Sequence, residues 1–516
     1  MKSSAVLISV YDKTNVEQLA KAFVESGAEI YSTGGTAKYL RENDIEVTDV
    51  STVTDFPEIL DGRVKTLHPR IFGGILANQR NADHTDQLKE HEIKRIAAVV
   101  VNFYPFSATL QKEDVTFDEI IENIDIGGPS MLRAAAKNHQ SVLPICNKNQ
   151  YELVIDALKK GSLDSLRLPF AKAAFTYSMH YDQTIAGFFH EQSLQKKDSD
   201  LPNLWSVNFT QTQSLRYGEN PHQKAAFYEV LENMPLNLAD RQVQGKALSY
   251  NNLMDLDAAV RIIGEFDETA CVIIKHSNPC GFAYGDSTED AYRRAVTTDP
   301  VSYFGGIVGF NRSVDGATAE ALTESFLECV VAPEFSAEAI EIFKSKKNLR
   351  IIRMHPEELS AVGYEIRPAL TGYLWQERDP RIGDISSANI ATKREPTDEE
   401  WAALRLAWKL VKHTKSNAIV FTSHEQALGV GAGQMSRVDS VKIAARKASE
   451  AGLSLEGAVM ASDAFFPFPD ALEVAVDAGI RAVIQPGGSI RDDTVIEAAD
   501  KHEVAMILTG QRHFKH

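Results

Sequence analysis

The chain has 516 residues, 44% of them hydrophobic and 24% charged, which is ordinary globular composition but too long for one core; domains of ~100–200 residues predict two to four units. Its 54 basic and 71 acidic residues give a formal net charge of -17, which argues against a nucleic-acid or anionic-membrane binder but leaves room for a locally positive pocket. No stretch approaches the ~18 consecutive apolar residues of a membrane span. The first apolar run is too short for a signal peptide, and 4 cysteines without a C-x-x-C pair predict free thiols in a reducing cytoplasm.

Residues 5–10 (AVLISV) predict a strand, 16–27 an amphipathic helix closing on Gly27, and 29–35 (EIYSTGG) a strand ending in a glycine turn. A helix over 37–45 follows, then strands over 96–106 and 141–147. This alternation implies a parallel sheet with helices on its faces, whose ligands collect at the carboxyl ends of the strands. The polar stretch 191–205 predicts a linker, dividing the chain into domains 1–195 and 196–516. A second polar stretch, 376–400, splits the latter. VIIKHSN (272–278) is echoed by WKLVKHTKSNAIVF (408–421), by chance or by internal duplication.

Three glycine-rich turns, YSTGGT (31–36), DIGGPS (125–130) and QPGGSI (485–490), are each predicted to follow a strand and open a helix. Amides at a helix N-terminus attract anions, and glycine lets a phosphate approach. Any one of them alone reads better as a tight turn, but two in one domain favour a phosphate site. No G-x-x-x-x-G-K-[ST] motif occurs, and GVGAGQMSR (429–437) lacks the third glycine of a dinucleotide fingerprint.

RVKTLHP (63–69) gathers Arg63, Lys65, Thr66 and His68, a pattern suited to an anionic or carboxamide ligand. In DIGGPSMLRAAAKNH (125–139), Pro129 suits the first turn of a helix. Arg133 and Lys137 lie i,i+4, and these two cations need an anionic partner, either Asp125 or a substrate. Tyr104 in NFYPF is a polar tip at the sheet edge or a core residue. Arg216 and Tyr217 in QSLRYGENPHQ could grip a phosphate and stack on a ring.

IIKHSNPCG (273–281) predicts an apolar strand ending in Lys275 and His276, with a Pro-Cys-Gly turn bringing both to one pocket. A neighbouring ammonium keeps an imidazole neutral, as a general base requires; a hydrogen-bonded histidine at a strand end is the plainer alternative. A zinc deaminase would need H-x-E and P-C-x-x-C, and Cys280 has no such partner, so no catalytic zinc is expected. SDAFFPFPD (462–470) is either the wall of a flat-ligand pocket or a buried aromatic corner.

Taken in order, SV-DKT, STGGTAK, RVKTLHP, NFYPF, DIGGPSMLRAAAKNH, LRYGENPHQ, LSYNNLMDLDAA, IIKHSNPCG, SNAIVF, GAGQMSR, SDAFFPFPD and QRHFKH resemble one family along the whole chain. It is the bifunctional purine-biosynthesis family that joins AICAR transformylase to IMP cyclohydrolase (AICAR is 5-aminoimidazole-4-carboxamide ribonucleotide). The resemblance implies an α/β fold: a methylglyoxal-synthase-like amino-terminal domain, then two cytidine-deaminase-like subdomains without the zinc. It implies 10-formyl-tetrahydrofolate as co-substrate, a homodimer with the transformylase site at the subunit interface, and room for a structural potassium ion.

Residue by residue, the resemblance makes His276 the base for formyl transfer and Lys275 its electrostatic aid, with Asn417 orienting the formyl group. Arg216, Tyr217 and Arg512 would hold the nucleotide. Phe465 and Asp470 would lie near the folate, and Asn252 and Arg437 would contact substrate. For ring closure it implies Lys65, Tyr104, Asp125 and Lys137 as catalytic residues. Arg63, Thr66, Gly127 and Gly128 would contact substrate, and Ser9, Lys13 and the turn of Ser32, Thr33, Gly34, Gly35 and Thr36 its phosphate. The chain departs from the family pattern at Tyr11, where serine is common, and at Phe72, where histidine is common.

Overall fold

The first apolar run forms strand β1 (Ala5–Val10), whose residues are nearly all buried. The helix after it, Val16–Glu25, buries Val16, Leu19, Ala20 and Phe23, the i, i+3, i+4, i+7 stripe of an amphipathic helix. Gly27 follows with φ 87°, the left-handed turn that glycine adopts at little cost. The computed structural model describes residues 4–193, 201, 205–230, 238–359 and 363–516, so of the expected linker residues 194–200 and 202–204 lie outside the described residues. The chain divides into two units, Met1–Ser206 and Val207–His516.

In the first unit β1, β2 (Glu29–Ser32), β3 (Thr48–Asp49), β4 (Ile96–Asn102) and β5 (Leu143–Ile145) make one sheet of order β3-β2-β1-β4-β5. Every pairing in it is parallel, as the alternation of elements predicts. The strands are shorter than their apolar runs. β2 stops at Ser32 because Gly34 and Gly35 already belong to the helix Gly34–Glu42. β4 stops at Asn102, and Phe106 opens a short helix. DIGGPS does not follow a strand: it joins the helix Phe117–Glu122 to the helix Gly127–Lys137. Thr116 and Glu119 form a capping box that starts the former, which fixes a helix where only polarity was legible.

The second unit opens with the hairpin β6 (Phe209–Leu215) and β7 (Ala225–Val230). A six-stranded sheet follows, formed by β8 (Gln242–Gln244), β9 (Ala270–Lys275), β10 (Asn278–Tyr284), β11 (Ile307–Phe310), β12 (Cys329–Ala332) and β13 (Arg350–Arg353). Its order is β10-β9-β11-β12-β13-β8. The hairpin β14 (Tyr364–Ala369) and β15 (Gly372–Glu377) separates it from a second six-stranded sheet. That sheet holds β16 (Asn389–Ile390), β17 (Ile419–Thr422), β18 (Ala427–Gly431), β19 (Val459–Ser462), β20 (Ala482–Gln485) and β21 (Ala505–Leu508), in the order β16-β21-β20-β19-β17-β18.

The two sheets repeat one topology. Each has an antiparallel edge strand, three parallel strands and an antiparallel hairpin at the far edge. The duplication is therefore structural, but the sequence echo does not mark equivalent places. Residues 272–278 span the end of β9 and its hairpin turn, whereas KHTKSN (412–417) leaves the helix Asp398–Lys412 before β17. One apolar cluster joins the two halves, with Val272, Ile274 and Phe282 from one side and Leu404, Trp408 and Val420 from the other.

Candidate functional site

In the first unit the candidates gather at the carboxyl ends of β1, β2 and β4. The helix Gly34–Glu42 points its first amides there, and the side chains of Lys65 and Lys13 lie close to them. A Cβ placed on Gly34 would stand 3.9 Å from Lys65 Nζ, and one on Gly35 would stand 3.9 Å from Lys13 Cε. Exposed amides of a helix N-terminus beside two cations make an anion cradle. The hydroxyls of this turn are already engaged: Ser32 donates to the Ile8 carbonyl at 2.6 Å, and Thr36 donates to the Val10 carbonyl at 3.0 Å while accepting from the Val10 amide at 3.1 Å. Thr33 is buried at the helix start, and Ser9 is half-buried near the end of β1.

Asp125 lies beside this cradle. It accepts from the Gly128 amide at 2.9 Å, its own amide donates to the Tyr181 hydroxyl at 2.8 Å, and the Tyr104 and Gly127 amides also favour its charge. Burial outweighs these and the Lys65 charge, so its pKa is raised above the ordinary carboxyl value. Thr66 is buried, with its Oγ1 3.0 Å from where a Gly127 Cβ would be. Both Tyr104 and Tyr11 are exposed, and their rings meet edge to face at 5.9 Å.

Other first-unit candidates have partners or positions of their own. Lys137 closes the helix that Gly127 opens, so at 1.5 Å per residue it lies about 15 Å along the axis from Asp125's end. It is exposed there, and Asp125 is not its partner. Arg133, also exposed, lies over the Phe175 ring. Arg63 is exposed and ion-paired with Glu122. His68 caps the helix Pro69–Leu76 through Nδ1, which accepts from the Arg70 amide at 3.2 Å. Phe72 packs against the core.

In the second unit Lys275 ends β9, and its ammonium donates to the Phe304 carbonyl at 2.6 Å. The turn is not Pro-Cys-Gly. Asn278 pairs with Lys275, so His276 and Ser277 form the two-residue turn, with φ 51° and 60°, and Pro279, Cys280 and Gly281 lie within β10. Two left-handed positions are what a tight hairpin turn demands, and non-glycine residues there are strained. Asp255 holds the turn by accepting from the Ser277 amide at 2.7 Å. His276 is left exposed.

The loop before β17 lies against this hairpin: the Lys415 amide donates to Asn278 Oδ1 at 2.9 Å. Two residues on, Asn417 donates to the Gln434 carbonyl at 2.9 Å and accepts from Arg437 at 2.8 Å. Arg437, 8% exposed, forms an ion pair with Asp463, which is 0% exposed. Arg437 thus braces Asn417 from a buried position. Asp463 also accepts from Ser416, whose amide donates to the Lys515 carbonyl at 2.8 Å. Beneath the loop, Glu265 accepts from Lys412 at 2.5 Å and meets His413 Nε2 at 3.0 Å. Burial holds His413 neutral, its pKa brought down to about 4. Burial opposes the Glu265 charge, but its partners hold it down to about 2.

The remaining candidates of this unit divide in the same way. Asn252 is the third helical residue of a capping box with Ser249, its Oδ1 accepting from Ser249 Oγ at 2.8 Å. The Arg216 guanidinium lies 5.5 Å from the centre of the Tyr217 ring, in a loop tied to the helix Tyr250–Ile263 where Asn251 donates to the Glu219 carbonyl at 3.4 Å. Phe465 and Asp470 are exposed, while Phe466 between them is buried, so SDAFFPFPD is partly core and partly surface. Arg512 is exposed and lies over the Phe514 ring. The turn 485–490 offers no anion site, because the Gly488 and Ser489 amides donate to Asp492 at 2.7 and 3.2 Å.

Among the described residues no group of three or more His, Cys, Asp or Glu could hold a metal ion. Also among the described residues, no helix is long and apolar enough to cross a membrane.

Comparison with known proteins covers the whole chain. Residues 135–447 match the family model of the AICARFT/IMPCHase bienzyme, and residues 15–130 match that of the MGS-like domain. The chain is 50% identical, over 519 aligned residues and 100% of both chains, to the bifunctional purine biosynthesis protein PurH of Bacillus cereus strain B4264. It is 49% identical, at the same coverage, to the protein of that name in Bacillus anthracis strain A0248.

Proposed function

The chain belongs to the AICARFT/IMPCHase bienzyme family, and from that premise we propose how its residues divide the two reactions of a bifunctional purine-biosynthesis enzyme. The second unit carries formyl transfer. The AICAR amine, a poor nucleophile because its lone pair is delocalised, attacks the formyl carbon of 10-formyl-tetrahydrofolate. His276 takes the amine proton, and Lys275 stabilises charge developing on the formyl oxygen or the departing folate nitrogen. Asn417 orients the formyl group. What supports this is the bond from Lys415 to Asn278, which fastens the hairpin of Lys275 and His276 to the loop of Asn417. Arg216, Tyr217 and Arg512 are the nucleotide contacts, and Phe465 and Asp470 face the folate.

The first unit carries ring closure. The carboxamide nitrogen of formyl-AICAR attacks the formyl carbonyl, and water leaves to give IMP. The cradle of Lys13, Lys65 and the Gly34–Gly35 amides takes the phosphate. Asp125 moves the proton, its raised pKa suiting that work, and Tyr104 adds a hydroxyl at the same edge. Holding the chain in reactive geometry supplies much of the rate. Lys137 acts indirectly, through the helix whose N-terminus contacts Asp125.

The working form is a homodimer in the cytoplasm. Supporting this are the exposed apolar side chains of the second unit, Val301, Phe304, Leu370, Tyr373, Met435 and Ile490, which would otherwise face water, and four free cysteines. The decisive experiment mixes the purified protein with AICAR and 10-formyl-tetrahydrofolate and follows formyl-AICAR and IMP separately. IMP without accumulated intermediate supports both sites. Formyl-AICAR closing only at its uncatalysed rate removes the role given to the first unit.

A further inference from the structure

We propose that Tyr11 is a positioning residue for ring closure, acting through Tyr104; the inference rests on the ring-closure site proposed above. Two features join the loops that carry these residues. Asn102, the last residue of β4, accepts through Oδ1 from the Tyr11 amide at 2.6 Å and from the Asp12 amide at 3.0 Å, and its Nδ2 donates to the Asp12 carbonyl at 2.9 Å. This clamp fixes the backbone after β1 against the end of β4. Tyr104 leaves β4 two residues later, and the Tyr11 ring meets it edge to face, at 89° and 5.9 Å between centres.

Both rings are largely open, Tyr11 at 54% and Tyr104 at 42%. An exposed phenol is ordinarily free to swing, and an edge-to-face neighbour restricts it. Tyr11 is thus the support for one side of the Tyr104 ring, set on a backbone that Asn102 holds still. Neither hydroxyl has a hydrogen-bond partner among the described residues, which leaves the Tyr104 hydroxyl free for substrate. The Tyr11 loop also carries Lys13 of the phosphate cradle, whose ammonium donates to the Tyr11 carbonyl at 3.2 Å. A displaced Tyr11 loop would disturb both ends of the substrate.

The test is steady-state ring closure of formyl-AICAR by Tyr11→Ser, Tyr11→Phe and Asp125→Asn, each made in the full chain. Formyl transfer, measured on the same preparations, normalises for active protein, and circular dichroism with a thermal melt of each variant checks that the first unit is folded. An aromatic pair of this kind corresponds to about 2- to 10-fold in rate. Tyr11→Ser is expected to lower kcat by that factor with KM little changed, and Tyr11→Phe, which keeps the ring edge, to recover most of it. A Tyr11→Ser enzyme with unchanged kcat and lower KM would mean the ring merely crowds the phosphate, and would overturn the proposal. So would equal losses in Tyr11→Phe and Tyr11→Ser, since the hydroxyl rather than the ring would then be responsible. If Asp125→Asn also retained full ring closure, the underlying site assignment would fail, a result distinct from failure of the Tyr11 proposal alone.

Discussion

The Lys415 amide donates to the side-chain oxygen of Asn278 at 2.9 Å, so one hydrogen bond spans the two halves of the second unit where their candidate residues meet. The Asn278 Nδ2 donates to the His276 carbonyl at 3.1 Å, so Asn278 places both the turn of His276 and the loop that ends in Asn417. Asn278→Ala removes the acceptor and leaves a backbone donor without its partner. Formyl transfer is expected to fall about 10-fold, with about 1 kcal/mol lost in stability. Steady-state kinetics and urea unfolding of the same variant check both, and ring closure is expected to be unchanged.

His276→Ala is expected to lower formyl transfer by ~10²–10⁴-fold, the usual contribution of a general base, and to leave ring closure intact. Following both products separately reads the result. Near-normal formyl transfer would remove His276 as the base.

Asp125→Asn is expected to abolish most ring closure and yet to stabilise the first unit at neutral pH. The sign follows from the raised pKa. A carboxyl whose folded pKa exceeds its unfolded value costs stability once pH rises above the unfolded value, and a neutral amide avoids that cost. The pH–rate profile of the parent enzyme should have its acid limb above the ordinary carboxyl value of 3.8. Thermal melts of parent and variant at neutral pH, with the rate profile, decide the matter.

Arg437→Met leaves Asp463 as a fully buried charge without its guanidinium. Breaking such a pair from one side costs ~3–5 kcal/mol, so the second unit should unfold at markedly lower urea. The double variant Arg437→Met with Asp463→Leu should recover part of that loss. Formyl transfer should stay low in both, because Asn417 loses its 2.8 Å brace.

Acid should loosen the junction beneath the same loop in two stages. His413 is neutral when folded, with a pKa of about 4 against 6.5, so stability falls as pH drops from 6.5 toward 4 and the unfolded chain takes the proton first. Glu265, at about 2 against 4.5, adds a second loss as pH drops from 4.5 toward 2. Urea midpoints measured across this range should slope downward toward acid, and His413→Asn should flatten the upper part of the slope.

Much of the first unit was legible because local pattern and tertiary outcome agree there: the buried stripe of residues 16–25 and the parallel strands follow directly from spacing. The end of β4 was not, because apolarity continues to Phe106 after strand pairing stops at Asn102. The motif of Lys275 and His276 was visible in the sequence, but its turn was misplaced: proline and glycine at 279 and 281 signal a turn, whereas long-range pairing with β9 keeps them in a strand. Lys137 shares a motif with Asp125, but the helix between them sets its backbone about 15 Å along the axis, at 1.5 Å per residue. Asp255 and Asp463 carry no signal in the sequence, because each acts by holding backbone or a buried cation, a role that no spacing announces.

The bond between the Ser416 amide and the Lys515 carbonyl also sets an order in time. Lys515 leaves the ribosome after every other residue of either site, whereas the first unit is fully translated once residue 206 has been made. At ~5–20 residues per second, the remaining stretch takes some tens of seconds. On the division of roles proposed above, the nascent chain would therefore hold all the residues of ring closure while the loop of Asn417 still lacked its final anchor, and the two activities of one polypeptide would arise in the reverse of the order in which the reactions run.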